Sequence, residues 1–484
     1  MLDDVVASSI DSSFAALPPQ KKTASETEPL RAGGLDPDRF DWHEAWHPIA
    51  YLNGLDKTQP YPFTLLGRDI VIWWDPQQQA WTVFDDRCPH RLARFSEGRI
   101  TEDGLLECPY HGWTFSGDGQ CQHIPQQVEG QAAETSSRAC VQSLPTALRQ
   151  GLLFVYLGEA SHANQVPVPI IEPLEDGPEE WVCLNTFRDL PYDALTLLEN
   201  VLDPSHLPYT HHKSVGNRSN ASPVELEVIK ADKQGFDGLW AEGPRRGALG
   251  PQDTRFVAPG LMWHEITSEQ YGRTVTAVYA VPTRKGHCRL FARFPFKFKS
   301  KVPGFFMKLT PQWYNHIGQN GILEDDQIFL HHQERYLEES GGSGRATKAF
   351  YLPTKADTFV QALHQWVNQF EADPFAGQSL PPALPKHELL DRYHSHTVNC
   401  PSCLGALKNI KRLRLGIAIL GVSLWAILSL LLSSVAAIPA TLICGAAWWS
   451  LKRLERRFYE GQSIPLRNVP ESLSLKDRIS GLFS

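Results

Sequence analysis

The chain contains 484 residues, about the length of two to four domains, and its 42% hydrophobic and 21% charged residues are ordinary for a globular protein. The formal net charge of −8 gives no reason to expect nucleic acid binding. The nine cysteines are widely spaced and odd in number, which argues against a secreted disulfide framework and favours a reducing compartment.

The chain begins with a segment, residues 1–38, that we predict to be a mobile tail. It is rich in Ser, Ala, Thr, Pro and Lys and lacks strong hydrophobic periodicity. Asp3 and Asp4 argue against a transit peptide, because such peptides are poor in acidic residues. The segment has no apolar secretory core, and the chain has no dinucleotide-binding or Walker-type glycine motif. Binding of a flavin or a nicotinamide is therefore not expected.

Residues 39–160 are predicted to form a small all-β domain. The run from 61 to 87 alternates between apolar and polar residues and contains a turn signal at Asp75-Pro76, which is typical of paired strands. The apolar stretch 151–158 is bounded by glycines and predicts a buried strand near the end of this domain.

Two cysteines and two histidines lie inside this domain in the order Cys88-x-His90 and, 17 residues later, Cys108-x-x-His111. Structural zinc sites usually keep their cysteines in one half of the motif and their histidines in the other. Here each half supplies one of each, which is the order of a Rieske [2Fe–2S] cluster. The cysteines would hold the buried iron and the histidines the outward one. A zinc site and a purely structural role are the alternatives.

A second set of metal ligands is predicted in the segment 199–212, where His206 and His211 follow Asp203. Two imidazoles and one distant carboxylate form the facial triad of non-haem iron sites, which leaves positions open for O2. His212 is the rival of His211 for the second ligand. An acid three residues before a ligand His can accept its other ring N–H, or a hydrogen bond from a cluster His of another subunit.

The third ligand is expected to be an Asp or a Glu far along the chain. One segment carries Glu324, Asp325 and Asp326, followed by a helix-like run. Acids in the first turn of a helix are also ordinary capping residues, so the pattern alone leaves the choice open. His331 and His332 are predicted either to support the site or the substrate, or to lie on a partly exposed helix face.

The C-terminal region contains two uncharged, mostly apolar runs, 415–435 and 436–451. A helix of about 20 residues spans a hydrocarbon core of about 30 Å. Lys and Arg on both sides of the pair favour two helices with both ends on the same, cytoplasm-like face. We predict a transmembrane hairpin over 411–457 and a tail over 458–484, with a buried core hairpin as the alternative.

A C-x-x-C pair, Cys400 and Cys403, lies in a predicted linker over 391–410. Such a pair can be a redox switch, half of a metal site, or two inert thiols. The chain has no second C-x-x-C, so a zinc site would also need His394 or His396. The redox switch is the interpretation we favour, and the other two remain open.

The metal motifs together resemble those of the Rieske non-haem iron oxygenases. More narrowly, the chain resembles the group that contains pheophorbide a oxygenase, Tic55 and PTC52, with the pheophorbide a oxygenases nearest. The resemblance covers about residues 40–460. It rests on SEGRI at 96–100, ENVLDPSHLPYTHH at 199–212, FVAPG at 256–260, LEDDQIFLHHQE at 323–334 and LLDRYHSHTVNCPSC at 389–403.

The resemblance implies an α+β fold in which an all-β Rieske domain precedes a catalytic domain, residues 161–390, with a helix-grip antiparallel sheet. It implies His206, His211 and Asp326 as the ligands of a mononuclear non-haem Fe(II). It also implies a cyclic trimer, in which Asp203 receives electrons from a cluster histidine of the neighbouring subunit.

The function that the resemblance implies is a monooxygenase that takes electrons from ferredoxin and uses O2 to open a chlorophyll-derived tetrapyrrole such as pheophorbide a. It implies thioredoxin as a partner of the C-x-x-C pair. It also implies a thylakoid or other chloroplast or cyanobacterial membrane, with the catalytic part on the stromal or cytoplasmic face. The alternatives are hydroxylation or formyl formation on a pigment side chain, and a non-catalytic redox or translocon-associated protein.

A large planar pigment needs a wide aromatic pocket. Phe305, Phe306, Trp313 and Tyr314 are candidates to line that pocket or a membrane-facing entrance, with core packing as the alternative for each.

Overall fold

The computed structural model describes residues 36, 38–269 and 272–469. The predicted N-terminal tail lies almost wholly outside these residues, as does the C-terminal part of the predicted tail over 458–484. The first described region contains only strands and short 3₁₀ turns. Its strands are β1 (Trp46–Tyr51), β2 (Tyr61–Leu65), β3 (Arg68–Asp75), β4 (Ala80–Asp85), β5 (Arg99–Ile100), β6 (Leu106–Glu107), β7 (Thr114–Phe115), β8 (Cys121–His123), β9 (Ser143–Leu144), β10 (Thr146–Arg149) and β11 (Leu152–Tyr156).

These strands form three small antiparallel sheets, in the orders β1-β11-β10, β2-β3-β4-β9 and β5-β6-β7-β8. The predicted turn at Asp75-Pro76 connects β3 to β4, and the Asp75 carboxylate accepts two backbone N–H bonds there. The predicted apolar strand is β11, whose five residues are all buried. Continuous burial fits a strand covered on both faces.

The second region is built on a seven-stranded antiparallel sheet in the order β12-β18-β17-β16-β15-β14-β13. Its long strands are rich in β-branched and aromatic residues, which fit a pleated, packed surface. They are β12 (Val182–Leu190), β13 (Leu226–Asp232), β14 (Gly235–Trp240), β15 (Gln252–Val257), β16 (Leu261–Ser268), β17 (Gly272–Arg284) and β18 (His287–Lys297).

Within the described residues, seven helices accompany this sheet. They are α1 (Ala194–Leu202), α2 (Leu207–Thr210), α3 (Lys301–Leu309), α4 (Gln312–Glu339), α5 (Ala346–Ala349), α6 (Thr358–Gln369) and α7 (Lys386–Leu389). Successive residues of a strand face opposite sides of a sheet. Accordingly, Leu290 of β18 packs with α1 and α6, whereas Phe291 packs with β1 and β11. The large sheet therefore lies between the helices and the first region.

Two long helices complete the described chain, α8 (Pro401–Leu431) and α9 (Ser434–Arg456). Both are long and apolar enough to cross a membrane, and only 6% of each apolar window is buried inside the structure. That exposure argues against a buried core hairpin, because a core helix would be covered by the protein. The N-terminal part of α8 is different, since Cys403, Leu407 and Ile410 are buried against the second region.

The predicted fold class is confirmed, with an all-β first region, a second region built on an antiparallel sheet with helices, and a C-terminal helical hairpin. Some residues on either side of the hairpin, in the segments predicted to be a linker and a tail, are packed into the protein. Cys400 caps α8 and is buried, and Phe458 is buried beside it.

Candidate metal centres

The first His/Cys set lies on two loops with matching backbone hydrogen bonds. The Cys88 N–H donates to Ala93 O and the Leu92 N–H to Cys88 O. In the second loop the Cys108 N–H donates to Trp113 O and the Gly112 N–H to Cys108 O. The fourth residue after each cysteine has a positive φ, 60° at Leu92 and 71° at Gly112. The two motifs therefore form equivalent turns, each of which presents one Cys and one His.

Burial separates the ligand types in this set. Cys88 and Cys108 are buried in a small apolar cluster with Trp73 and Phe95, whereas His90 is exposed and His111 half-buried. The two imidazole rings lie 4.5 Å apart between centroids. Two inner thiols and two outer imidazoles fit a [2Fe–2S] centre with one iron on each side.

The second set lies at the two ends of the short helix α2, which follows α1, and it faces the middle of α4. Ligand atoms of His206, His211 and Asp326 all lie within 4.8 Å of one another. His211 Nε2 is 3.2 Å and His206 Nε2 is 3.9 Å from the Asp326 carboxylate. Asp326 and His211 are buried. The geometry brings the three predicted iron ligands together, and two imidazoles with one carboxylate suit non-haem Fe(II).

The hydrogen bonds fix which ring nitrogens face this point. His206 Nδ1 donates to the backbone carbonyl of Asp203, and His211 Nδ1 lies 3.4 Å from the Asp325 carboxylate. Both Nε2 atoms lie within 4 Å of the Asp326 carboxylate, where each could give up its proton and hold a metal ion. A ligand histidine commonly donates its other N–H to a carboxylate or a carbonyl, which holds the ring in place.

Asp325 supports the ligand His211, a role that was not predicted from the sequence. Its carboxylate also accepts from Ser214 Oγ and lies 3.5 Å from Arg467 Nη1, while that guanidinium donates to the Asp325 carbonyl. Burial alone would lower the pKa of His211, but hydrogen bonds to Asp325 and Asp326 outweigh burial and raise that pKa to about 9. The pocket therefore favours a cation, as a metal site should.

Asp203 lies at the surface end of this site. Its backbone carbonyl holds His206, whereas its carboxylate is 4.0 Å from that ring and accepts the Ser205 N–H. The tautomer-fixing role considered for the carboxylate thus falls to the main chain. The Asp203 side chain is 29% exposed, so its second oxygen remains accessible to another molecule. His212 lies outside the ligand group, and its Nδ1 accepts from the Arg218 N–H.

The acids of α4 are not capping residues. The helix begins at Gln312, so Glu324, Asp325 and Asp326 lie near its middle and are buried. Glu324 forms ion pairs with Arg188 and Arg392, at 2.8 and 2.6 Å, and has a structural role.

The histidines that follow on α4 also lie outside the ligand group. His331 is buried and bonded through both ring nitrogens, to Pro191 O and the Leu384 N–H, so it too is a structural residue. His332 is half-buried beside it, with the two ring centroids 5.2 Å apart.

The aromatic candidates do not line an enclosed pocket. Phe305, Phe306 and Tyr314 are each about 60% exposed, and Trp313 packs on Phe458 near the base of the hairpin. A cavity of about 530 Å³ lies elsewhere, at the junction of the first region and the sheet. Its lining mixes charged residues with apolar ones such as Phe63 and Leu190, and it contains none of the predicted iron ligands, so it is not the predicted oxidation site.

The C-x-x-C pair belongs to a third group. Cys400 and Cys403 are free thiols, buried together with His316 and His396. His394, the other histidine considered as their partner, is exposed and pairs with Asp391. His316 was not predicted, because it lies 80 residues before His396 and matches no local spacing.

Comparison with known proteins places two family models on this chain. A family model described as "Rieske [2Fe-2S] domain" matches residues 45–145, and one described as "Pheophorbide a oxygenase" matches residues 256–343. The chloroplastic pheophorbide a oxygenase of Oryza sativa subsp. japonica is 37% identical, with 80% of this chain and 77% of the relative covered. The chloroplastic flavonoid 8-hydroxylase 2 of Ocimum basilicum is 34% identical, with 84% and 81% covered.

Among solved structures, dicamba monooxygenase bound to dicamba matches with a TM-score of 0.54 at 21% identity. The match covers 68% of this chain and 96% of that one, and it shows the shared fold. A Rieske [2Fe–2S] cluster and a mononuclear iron are therefore the cofactors of this chain. The described ligand groups fit both. The two apolar helices, together with the chloroplastic relatives, support association with a chloroplast membrane.

Proposed function

Since the chain belongs to the pheophorbide a oxygenase family of Rieske oxygenases, we propose that it is a monooxygenase that opens the macrocycle of a chlorophyll-derived tetrapyrrole resembling pheophorbide a. The observation that carries this proposal is the complete group of His206, His211 and Asp326 downstream of an intact Rieske motif. A protein with only an electron-carrying role would have no need of that group.

When bound, the cluster supplies single electrons and the mononuclear iron activates O2. The residues of the chain position these groups. Asp203 O and Asp325 orient the two imidazoles, and Asn200 donates to the Asp326 carboxylate at 3.3 Å. Reduced ferredoxin is the proposed electron donor.

The proposed assembly is a cyclic trimer. His90 is exposed, and the accessible carboxylate of Asp203 has room for a further hydrogen-bond donor. In the described part of the chain neither His90 nor His111 hydrogen-bonds to Asp203, so such a bond would have to form between subunits. Asp203 of one subunit would then accept a hydrogen bond from a cluster histidine of its neighbour.

Substrate is proposed to arrive from the bilayer. Helix α3 presents Val302, Phe305, Phe306 and Leu309 to solvent, next to the packed base of the hairpin around Trp313. Exposed apolar side chains beside a membrane anchor suit an interfacial position. The basic flanks of the hairpin would keep the catalytic part on the stromal or cytoplasmic face of a thylakoid or related membrane.

The test is a single turnover with a panel of substrates. The full-length protein in detergent is reduced without oxygen and then mixed with O2 and pheophorbide a, chlorophyllide a, protochlorophyllide or a flavone, and the products are read by mass spectrometry. We expect oxygen incorporation and macrocycle opening with the pheophorbide-like pigment. Products with the macrocycle intact would favour side-chain oxidation, and oxidation of the flavone alone would overturn the proposal.

A further inference from the structure

The third His/Cys group joins three elements that are distant in sequence. His316 lies in the first turns of α4, His396 lies in the loop before α8, and Cys400 and Cys403 lie at the start of α8. All four side chains are at least 97% buried. One ligand atom from each lies within 4.8 Å of the other three.

The separations match those around one small ion. Tetrahedral zinc, with Zn–N of about 2.0–2.1 Å and Zn–S of about 2.3 Å, holds its ligand atoms roughly 3.3–3.8 Å apart. His316 Nδ1 lies 3.5 Å from Cys400 Sγ and 3.4 Å from Cys403 Sγ, and His396 Nε2 lies 3.4 Å from Cys403 Sγ. The two imidazole nitrogens are 3.0 Å apart. The three nitrogen–sulfur distances fall in the range for zinc, and the two nitrogens lie slightly closer together than that range.

The outer hydrogen bonds of the histidines indicate what lies between them. His316 Nε2 is 2.9 Å from Asn185 O, and His396 Nδ1 is 2.7 Å from Phe187 O, both on strand β12. A carbonyl only accepts, so each of these nitrogens carries the proton in the neutral ring. The inner nitrogens, His316 Nδ1 and His396 Nε2, then direct lone pairs at each other and at two thiols.

A thiol is only a weak hydrogen-bond donor, whereas one metal ion between these atoms would bind both nitrogen lone pairs and both sulfurs. We propose that His316, His396, Cys400 and Cys403 form a structural zinc site that fastens the base of the membrane hairpin to the catalytic region. All four positions are filled by protein atoms, which is typical of structural rather than catalytic zinc. The carbonyls of β12 orient the two imidazoles, as outer groups commonly do in metal sites.

The neighbouring residues support this structural role. One side chain, Glu324, pairs with Arg188 of β12 and with Arg392, which begins the loop that carries His396. His316 and Asp326 are ten residues apart on α4, about 15 Å along the helix. The zinc site would thus hold the same helix that supplies an iron ligand. The inference does not depend on the identity of the substrate.

The first test is performed on the wild-type full chain, purified in detergent without chelators and under reducing conditions. We expect one zinc per chain by elemental analysis, in addition to iron and sulfide. X-ray absorption at the zinc edge should show two sulfur ligands and two nitrogen ligands. Zinc that had replaced iron at His206, His211 and Asp326 would show nitrogen and oxygen only, and that result would contradict the proposal.

A matched pair of variants separates the two His/Cys sets, because zinc in an empty Rieske motif would also have two sulfur and two nitrogen ligands. Cys403→Ser should lose the zinc and keep the Rieske absorption. Cys108→Ser should keep the zinc and lose the Rieske absorption, while Cys140→Ser should keep both. The opposite pattern of zinc loss would overturn the assignment.

The thiol state provides a readout that survives poor folding of a variant. In wild-type protein Cys400 and Cys403 should resist alkylation until zinc is removed by a chelator, and should then react together. Intact-mass and peptide analysis that finds a Cys400–Cys403 disulfide and no zinc would reject the metal site in favour of the redox switch. Thiols that react freely without a chelator would reject it in favour of inert cysteines.

Discussion

The chain contains two sets of two cysteines and two histidines, and they are built in opposite ways. The first set, Cys88, His90, Cys108 and His111, comes from two neighbouring loops and keeps its histidines toward solvent. The second set joins a helix, a loop and the start of the membrane hairpin, and all of its members are buried.

The difference shows how the same four donors serve different chemistry. An electron-transfer centre needs ligands at the surface, where a partner can approach, and two paired loops provide that arrangement. A structural metal ion is buried, and it holds together parts of the fold that would otherwise be free to separate. Layout and exposure, rather than the residue types, therefore distinguish the two sets.

The largest expected effect is the loss of the exposed set. Cys108→Ser removes one thiolate ligand, so the Rieske absorption and pigment turnover should both disappear, which visible spectroscopy and product analysis will show. Circular dichroism should report an unchanged fold, because the loop lies at one edge of the first region. A global loss of structure would show that the two sets are not independent.

A second prediction addresses the scaffold of the buried set. Burial would raise the pKa of Glu324, but Arg188 and Arg392 outweigh it and hold that pKa below its usual value of 4.5. Glu324→Ala leaves two guanidinium groups buried without their partner, which should cost about 3–5 kcal/mol in chemical unfolding.

The pH dependence of this effect follows from the direction of the shift. A lowered folded-state pKa means that the stabilisation is present above about pH 4.5 and is lost as the pH falls through the folded value. The difference between wild type and Glu324→Ala should therefore shrink on acidification. A difference that grows instead would contradict the assigned role, and the Rieske spectrum of the variant serves as the control.

A smaller effect is expected beside the mononuclear site. Asp325→Asn weakens the bond that orients His211, and such outer changes typically reduce metal affinity about 10–100-fold. Iron retention against a graded chelator measures this loss, with the exposed Asp118→Asn as the matched control. Equal retention by both variants would assign Asp325 to folding alone.

Local spacing was sufficient to predict much of the molecule. The two cluster loops, the 61–87 strands and the two apolar helices each follow from residues close together in the chain, where periodicity and turn signals act directly. His206 and His211 lie five residues apart and were predicted for the same reason.

Sites whose residues are distant from one another in sequence could not be predicted in this way. The choice of Asp326 over its neighbours depended on resemblance, because the sequence did not reveal that α4 begins at Gln312 and buries all three acids. His316 and Arg467 reach their sites only through tertiary packing. Asp325 was visible as a candidate ligand, but its supporting role depends on which face of the helix meets His211.

The most direct test of the account is a stopped-flow comparison of wild type with Asp326→Ala. Both proteins are reduced without oxygen, loaded with one equivalent of pheophorbide a and mixed with O2, while the Rieske absorption and the pigment are followed together. Wild type should reoxidise and form one oxidised pigment per active site, whereas Asp326→Ala should keep the Rieske spectrum and form no product. Pigment oxidation by Asp326→Ala at the wild-type rate would contradict the account.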